Sequence, residues 1–159
     1  MKLTIRDAHA GDAEVLAAYN SAMATETEGK ALDPAVIGPG VTSVLEDASK
    51  GRYWVAEAEG RIAGQLMVTY EWSDWRNGTI WWIQSVYVHP DWRRKGVFSA
   101  LYRHVELLVA ADAQAIGLRL YVENNNNRAQ QTYAALGMVN PGYLVMEAIQ
   151  GSSPTNKET

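Results

Sequence analysis

The spacing of hydrophobic residues along the chain first predicts a strand and then helices. Leu3 and Ile5 alternate with polar neighbours, which is typical of a short strand. From Val15 to Met23 the hydrophobic residues recur at helical spacing, and this predicts an amphipathic helix. A second helical segment leads up to Leu45, and we expect Gly38-Pro39-Gly40 to interrupt it.

The middle of the chain changes to a period of two, which predicts the antiparallel part of a sheet. Two strands are predicted, from Tyr53 to Ala58 and from Ile62 to Trp72. Asn77-Gly78 predicts a two-residue hairpin turn after them, because both residues tolerate positive φ. The next strand, from Ile80 to Val88, is too apolar to expose one face to solvent, so we expect it to lie in the centre of the sheet. We expect this strand to stop at His89-Pro90.

The second half of the chain alternates between helices and strands. Four elements are predicted in it: a helix from Gly96 to Asp112, a strand from Ile116 to Val122, a helix from Ala129 to Leu136 that Gly137 ends, and a last strand from Tyr143 to Ile149. With the first half, this order predicts a single α/β domain with a mixed sheet over residues 1–150. Residues 151–159 are polar and are expected to form a frayed tail.

Composition and charge narrow the classes of function. The chain has 159 residues, of which 47% are hydrophobic and 20% charged, enough for a folded core. Its formal net charge of −4 argues against a general nucleic-acid-binding protein. The absence of cysteine excludes thiolate nucleophiles and cysteine metal sites, and the three histidines lie too far apart in sequence for a metal-binding motif. We therefore expect no metal.

Neither a membrane span nor a signal peptide is predicted. No segment approaches the roughly 20 consecutive apolar residues that a span needs, so we expect no membrane partner. The early charges on Lys2, Arg6 and Asp7 argue against a signal peptide. These observations favour a cytoplasmic protein.

The segment from Val86 to Leu101 carries the most informative chemistry. A strand ends, Arg93-Arg94-Lys95 forms a basic turn, and Gly96 opens an amphipathic helix. Helix N-termini bind phosphates through free N–H groups and the helix dipole, and glycine lets a ligand approach the backbone closely. The segment therefore indicates a phosphate site, with a solvated turn as the simpler alternative.

This segment resembles motif A of the GCN5-related N-acetyltransferases, Q/R-x-x-G-x-G/A. Arg93 and Gly96 occupy the first two defined positions of the motif, and the strand and helix around it also match. Phe98 stands where the pattern prefers Gly or Ala, and only the backbone N–H is needed there.

A second signature of the same family, N-x-x-A-x-x-x-Y-x-x-x-G-F/M, resembles the segment from Val122 to Met138. Four residues occupy its fixed positions: Asn126, Ala129, Tyr133 and Gly137. With both motifs at the expected separation, the chain is similar to this family from Leu3 to Ile149.

The resemblance implies acetyl-CoA, or another acyl-CoA, as cosubstrate. It also implies an α/β (α+β) fold with a mixed, mostly antiparallel sheet, flanking helices and two splayed parallel strands. Backbone groups at the end of the central strand would pair with the pantetheine arm, and an edge of unpaired groups suits such an amide-rich ligand. The amides after the basic turn would hold the pyrophosphate. The implied cofactor residues are Val86, Tyr87, Val88, Arg93, Arg94, Lys95, Gly96, Val97, Phe98, Ser99 and Asn126.

The resemblance also implies that Tyr133 is the general acid. Aminolysis of a thioester expels a thiolate, and the pKa values of thiol and phenol, roughly 8.5 and 10, are close enough for proton transfer. The backbone N–H of Val86 would stabilise the negative charge on the carbonyl oxygen. The alternative role for Tyr133 is a ring packed in the core.

The general base stays open at this stage. Gln84 occupies the position on the central strand where many family members carry glutamate, and an amide cannot take a proton. Glu71 is a candidate on the neighbouring strand, and Asp74 could likewise act through water. Glu26 and Glu28 are further candidates, and a relay of ordered water is an equal alternative.

Acidic and aromatic residues predict the acceptor site. We assign four residues to binding a cationic amine, either a small molecule or a peptide, by charge and cation–π attraction: Glu26, Glu28, Trp72 and Asp74. Four tryptophans are also more than one side of a small sheet can bury: Trp72, Trp75, Trp81 and Trp82. This surplus predicts a homodimer, with a substrate-binding wall as the alternative.

The competing function is a non-catalytic acyl-CoA-binding or regulatory module on the same fold. Phe98 in motif A and Gln84 in place of a strand carboxylate favour this alternative. A fold does not fix a function, so both functions remain open at this stage.

Overall fold

The computed structural model describes residues 1–151, and in this range the chain forms five strands and four helices. It divides into two compact units, residues 1–121 and a unit that begins at Val122. The first unit holds one sheet, whose strands pair in chain order: β1 (Leu3–Asp7), β2 (Arg52–Ala58), β3 (Arg61–Ser73), β4 (Gly78–Val88) and β5 (Ala115–Leu120). β1 to β4 are antiparallel and β5 runs parallel to β4. The predicted α/β fold with a mixed, mostly antiparallel sheet is confirmed, and β4 has the interior position expected for it.

Three helices of the first unit cover the two faces of the sheet: α1 (Ala13–Glu28), α2 (Pro34–Glu46) and α3 (Val97–Ala111). Leu16 of α1 and Val41 of α2 pack with buried residues of β2 in one hydrophobic cluster. The fully buried Gln65 of β3 donates a hydrogen bond to the carbonyl of Leu16 on this face, which we call the α1–α2 face. Gly64 lies against α3 on the opposite face, the α3 face. Because side chains alternate along a strand, the later residues of β3 divide between the two faces in the same way.

α2 continues through Pro39, so the predicted interruption at residues 38–40 is wrong. Asp33 caps the helix by accepting a hydrogen bond from the N–H of Ala35 at 2.9 Å. Pro39 removes one backbone hydrogen bond, but Val41 that follows it is buried against the sheet. The burial of this helix face outweighs the weak local helix propensity.

The turn between β3 and β4 is longer than the predicted two-residue turn at Asn77-Gly78. Residues 74–77 form the turn, Asn77 has a φ of 49°, and Gly78 already pairs with Ser73 in the β3–β4 ladder. Gly78 is needed for a different reason, because a Cβ there would lie 2.5 Å from Cγ2 of Ile116 in β5. The glycine permits the close approach of β5.

The second unit contains one helix in its described part, α4 (Asn127–Ala135). Asn126 caps the helix by accepting a hydrogen bond from the N–H of Ala129 at 3.1 Å. Gly137, with a φ of 93°, ends the helix as predicted, and the N–H of Met138 donates to the carbonyl of Tyr133 at 3.0 Å. Both ends of α4 are therefore set by local sequence.

Residues 143–149 form no strand in the described part of the chain, so the predicted last strand from Tyr143 to Ile149 is wrong. Their large side chains are exposed, Met146 by 90%. Alternating apolar residues satisfy the side-chain pattern of a strand, but a strand also needs a neighbour aligned with its backbone, which the pattern cannot supply. The single domain predicted over residues 1–150 stays a prediction. Of the predicted tail, only Gly151 lies within the described residues.

Candidate functional site

β4 is longer than its parallel neighbour, and its last residues form an open edge. The parallel register ends where Ile83 pairs with Leu120, the last residue of β5. β4 continues to Val88 while it stays paired with β3 on its other side. Residues 84–88, called the open edge below, therefore have no partner in β5 and can accept an extended ligand.

A β-bulge at Gln84 explains why the pairing between β4 and β5 ends here. Met67 pairs with Ser85 and Val68 pairs with Ile83, so Gln84 faces no residue of β3. An extra residue of this kind bends its strand and increases the local twist. The bulge directly follows the last pair between β4 and β5, Ile83 with Leu120. The parallel pairing therefore stops at the place where the family resemblance implied that the two strands splay.

The backbone groups of the open edge alternate in direction. The N–H of His89 donates to the carbonyl of Ala63 in β3 at 2.9 Å. Since direction alternates along a strand, the backbone groups of Tyr87 also face β3, whereas those of Val86 and Val88 face away from it. Of the three backbone positions implied for the pantetheine arm, Val86 and Val88 have the required direction. The backbone of Tyr87 does not have this direction, but its side chain hydrogen-bonds Glu26.

The basic turn after β4 has two residues in the left-handed conformation. A short 3₁₀ turn, Pro90–Trp92, is anchored by the buried Trp92, and the guanidinium of Arg61 lies 4.6 Å from the centroid of that ring. Arg94 and Gly96 then adopt φ angles of 63° and 80°. Left-handed residues in a turn bring successive N–H groups to one side, which is the arrangement of anion-binding nests.

α3 begins directly after this turn, and its N-cap residue is Gly96, which has no side chain to cap the helix. The first N–H groups of a helix lack intrahelical partners and carry the positive end of the helix dipole. A Cβ on Gly96 would meet no atom within 4 Å, so the space in front of the helix is open. The side chain of Val97 is buried, while those of Lys95 and Ser99 are exposed. This end of α3 has the features of a phosphate-binding site.

Phe98 fills the motif position where the family prefers a small residue. Its half-buried ring is tilted against the ring of Tyr102, one turn further along α3, with 6.0 Å between the centroids. Part of the bulk of Phe98 is therefore taken up along the helix and not in front of its N-terminus.

Glu26, which the sequence assigns to the acceptor site, contacts the cofactor segment. Its Oε2 accepts a hydrogen bond from Nη2 of Arg93 at 2.6 Å, and its Oε1 accepts one from the hydroxyl of Tyr87 at 3.1 Å. Nε of Arg93 also donates to the carbonyl of Val88 at 2.9 Å. The hydrogen bond from Arg93 lowers the pKa of Glu26, whereas burial and the bond to Glu26 raise the pKa of Tyr87. These four residues form one network.

Glu71 lies in a second charged cluster, where β3, β4 and β5 meet. Its Oε1 accepts a hydrogen bond from Nε1 of Trp82 at 2.6 Å, and Nη1 of Arg119 lies 3.2 and 3.3 Å from its two oxygens. The ring of Tyr121 lies 4.6 Å from that of Trp82. Sequence reasoning missed Arg119 and Tyr121. The signal for Arg119 was a single charged residue inside an apolar strand.

The other predicted acceptor residues are dispersed. Trp72 follows Glu71 in β3 and so lies on the opposite face, with 58% of its surface exposed. Asp74 lies in the β3–β4 turn, where its Oδ1 accepts a hydrogen bond from the next N–H at 2.9 Å. Glu28 pairs with Lys30 at 3.6 Å. The predicted acceptor residues therefore do not form one cluster.

Asn126 and Tyr133 belong to the second unit. Oδ1 of Asn126 caps α4, and its amide NH₂ group is a donor. Tyr133 is half-buried on α4, and burial raises its pKa. A phenol with a raised pKa keeps its proton at neutral pH, which a general acid requires.

Metal-binding and membrane-spanning features were sought in residues 1–151. No group of three or more His, Asp or Glu side chains in this range could hold a metal ion. No helix in the same range is long and apolar enough to cross a membrane.

Known proteins resemble the chain in sequence and in structure. The model of the acetyltransferase (GNAT) family matches residues 17–138. A search of curated proteins gives no match. The solved structure of a possible acetyltransferase from Clostridium difficile 630 is 42% identical, covers 94% of this chain and 98% of that chain, and has a TM-score of 0.88.

Two more distant structures share the fold. An integron cassette protein from the mobile metagenome of Cole Harbour Salt Marsh is 21% identical over 94% of this chain and 91% of that chain, with a TM-score of 0.80. An aminoglycoside N-acetyltransferase in complex with CoA is 13% identical over 94% of this chain and 95% of that chain, with a TM-score of 0.76. At these identities the likeness concerns the fold alone. The match to the family model and the 42% identity to the protein from Clostridium difficile 630 show more than the fold. The chain belongs to the acetyltransferase (GNAT) family.

Proposed function

We propose that the protein transfers an acetyl group from acetyl-CoA to a primary amine. Membership of the family supports acyl-CoA-dependent acetyl transfer as the general class of reaction. The observation that carries the proposed site is the open edge of β4, which leads through the basic turn to the N-terminus of α3 at Gly96. An amide-rich arm suits an open strand edge, and a pyrophosphate suits a helix N-terminus.

The described residues fit CoA at two places. The positive φ of Arg94 costs about 1–3 kcal/mol in most contexts, and such strain persists mainly at ligand clamps and active sites. At Gly96 the space that a side chain would occupy is open. We assign the backbone of Val86 and Val88 to the pantetheine arm and the N–H groups from Arg94 to Ser99 to the pyrophosphate. Bound acetyl-CoA supplies a thioester, which is an activated acyl donor.

Two residues are proposed to manage the charge that develops during transfer. The N–H of Val86 faces the open edge and would donate to the carbonyl oxygen as negative charge grows on it. Tyr133, which occupies the family's tyrosine position, would give its proton to the departing thiolate. Its raised pKa supports this role, since the phenol stays protonated at neutral pH.

Glu71 is proposed to take the proton of the amine through a water molecule. Gln84 cannot do so, and its amide donates to Oγ1 of Thr69 at 2.9 Å. Hydrogen bonds from Trp82 and Arg119 hold the carboxylate of Glu71 in one orientation. These contacts support the proposal, because a carboxylate with a fixed orientation can hold a water molecule in one position.

The proposed acceptor is a cationic amine. The net charge of −4 favours the approach of cations, and the ring of Trp82 lies beside the carboxylate of Glu71. In this proposal the exposed Glu28, Trp72 and Asp74 contribute to attraction at the surface. The aminoglycoside N-acetyltransferase among the fold relatives makes aminoglycosides one class to test.

A steady-state assay that follows free thiol release tests the proposal. The panel contains polyamines, aminoglycosides, free amino acids and peptides with free N-termini, and matched alcohols serve as the control for acceptor chemistry. We expect amine-dependent thiol release with at least one class and none with the alcohols. CoA binding without amine-dependent release for any class would contradict an amine acceptor and favour a binding module.

A further inference from the structure

Glu26 links α1 to a part of the chain far away in sequence. Its two hydrogen-bond partners, Tyr87 and Arg93, are 61 and 67 positions further along. Both carboxylate oxygens are engaged, one with the phenol and one with the guanidinium. Both partners belong to the segment that we assign to acyl-CoA, and neither belongs to the proposed acceptor site around Glu71.

Arg93 is committed to two contacts within the protein. Its Nη2 donates to Glu26 and its Nε donates to the carbonyl of Val88, while its guanidinium carbon lies 5.5 Å from the centroid of the Tyr87 ring. A planar guanidinium with donors fixed on two sides has a defined orientation. Arg93 therefore holds the start of the basic turn against the end of β4.

The end of β4 needs such support, because β5 does not reach it. After the pair of Ile83 with Leu120, β3 is the only strand within residues 1–151 that pairs with the remaining residues of β4. Tyr87 and Val88 are adjacent there, and each takes part in the network around Glu26. Through this network α1 provides a second anchor for the open edge.

We propose that Glu26 is a positioning residue for acyl-CoA binding: through Arg93 and Tyr87 it holds the open edge and the basic turn in the geometry that binds the cosubstrate. It does not bind the acceptor amine. This inference rests on the proposed function, and it specifies which of the two substrates Glu26 serves.

The exposure of the pair separates this role from a general role in folding. The side chains of Arg93 and Glu26 are 44% and 42% exposed, and exposed ion pairs contribute little to the free energy of folding. Alanine is also the strongest helix former, so Glu26→Ala is expected to keep α1 intact. The variant should fold normally and show its effect in binding.

Calorimetric titration with CoA, combined with the KM for the amine, tests the inference. Glu26→Ala is expected to weaken CoA binding about five- to tenfold and to leave the KM for the amine and the melting temperature unchanged. Glu14→Ala is the matched control, because Glu14 is an exposed glutamate of the same helix, twelve positions before Glu26, and has no role in either proposed site. This control is expected to bind CoA like the wild type.

A double-mutant cycle with Tyr87→Phe tests whether the network acts as a unit. This variant removes only the hydroxyl that donates to Glu26. It should weaken CoA binding in the wild type but have no further effect in Glu26→Ala.

Each other outcome contradicts a definite part of the argument. A raised KM for the amine with unchanged CoA affinity would make Glu26 an acceptor-binding residue and overturn the inference. Tighter CoA binding by Glu26→Ala would mean that Arg93 is released to the phosphates, which also overturns it. A wild-type protein that does not bind CoA would instead overturn the proposed function, and the inference with it.

Discussion

Gly64 of β3 lies so close to Val97, the first residue of α3, that a Cβ on Gly64 would be 2.9 Å from Cγ1 of Val97. The same Cβ would be 2.9 Å from the carbonyl oxygen of Tyr87. Real Cβ atoms do not make such contacts, so this glycine sets the distance from β3 to both the start of α3 and the end of β4. These are the two elements that we assign to acyl-CoA.

Gly64→Ala is therefore expected to destabilise the protein by about 1–3 kcal/mol, the usual cost of overpacking a core. It should also weaken CoA binding, because either α3 or β4 must move. Urea unfolding and calorimetric titration measure the two effects. Gly40→Ala is the control: it lies in α2 with no atom within 4 Å of a Cβ, and is expected to be neutral or stabilising. Wild-type stability in Gly64→Ala would show that the contact relaxes freely.

Gly96→Val is expected to weaken CoA binding much more than Lys95→Ala. Valine is strained at the φ of 80° and fills the open space before α3, whereas Lys95 adds only a screened charge. Calorimetric titration of both variants with CoA makes the comparison. Equal, small effects would place the phosphate site elsewhere.

Tyr133→Phe is expected to lower kcat by about 10²–10⁴-fold with CoA affinity nearly intact, because only the proton donor is lost while the ring remains. The raised pKa of Tyr133 predicts that the wild-type rate does not fall on the alkaline side until above the ordinary phenol range. A pH series of kcat under chemistry-limited conditions checks both points. A kcat within about threefold of the wild type would make Tyr133 a packing residue.

Asp12→Asn is expected to destabilise the fold by about 2–3 kcal/mol at neutral pH. Asp12 is buried, its oxygens accept hydrogen bonds from Arg6 at 2.8 and 2.9 Å, and the bond from Arg6 lowers the pKa of Asp12 from 3.8. Because the pKa of Asp12 is lower in the folded state, its carboxylate stabilises the fold at pH values above the pKa of the unfolded state. This stabilisation is lost as the pH falls through the pKa of the folded state. The difference between variant and wild type should thus be constant from about pH 7 to pH 5 and shrink below about pH 4. Urea unfolding across this range measures it, and a constant difference at every pH would contradict the linkage.

The homodimer remains a prediction, and the structure shows which tryptophans are exposed enough to contact a second subunit. Trp81 is buried and stacks on Trp54, whereas Trp72 and Trp75 are 58% and 91% exposed. We expect sedimentation velocity to show a dimer at micromolar concentration and a monomer for the double variant Trp72→Ala, Trp75→Ala. Val36→Ala, an exposed substitution on α2, is the control that should stay dimeric. A monomeric wild type would leave these side chains as surface residues.

Features set by neighbouring residues could be predicted from the sequence. The apolar run of β4 required a central strand, and Gly137 ended α4 because a left-handed residue is needed there. The break expected at Pro39 failed because the burial of Val41 lies outside any local pattern. The purpose of Gly78 was hidden for the same reason, since Ile116 comes close to it only in the folded sheet.

In the candidate site, too, features set by neighbouring residues could be predicted, and contacts between distant residues could not. The basic turn and the glycine at the start of α3 could be identified from consecutive residues, because phosphate binding at a helix end is a local device. The pairing of Glu26 with Arg93 could not, since 67 positions separate them and a carboxylate near a helix end is usually solvated. Both members were singled out from the sequence, but for different substrates.

The bulge at Gln84 depends on the exact number of residues in β4 and not on their composition. Without this one residue, Ser85 would follow Ile83 directly, and the two would continue the ladder with Met67 and Val68 in regular register. The strand would lose its local bend, every side chain would keep its face relative to β3, and no extra residue would interrupt the sheet after the pair of Ile83 with Leu120. A homologue shortened by this one position would keep the fold and the faces of its side chains, and would still lose the bulge beside the open edge. A sequence alignment in which a one-residue gap at position 84 is disregarded would not show that the bulge is missing.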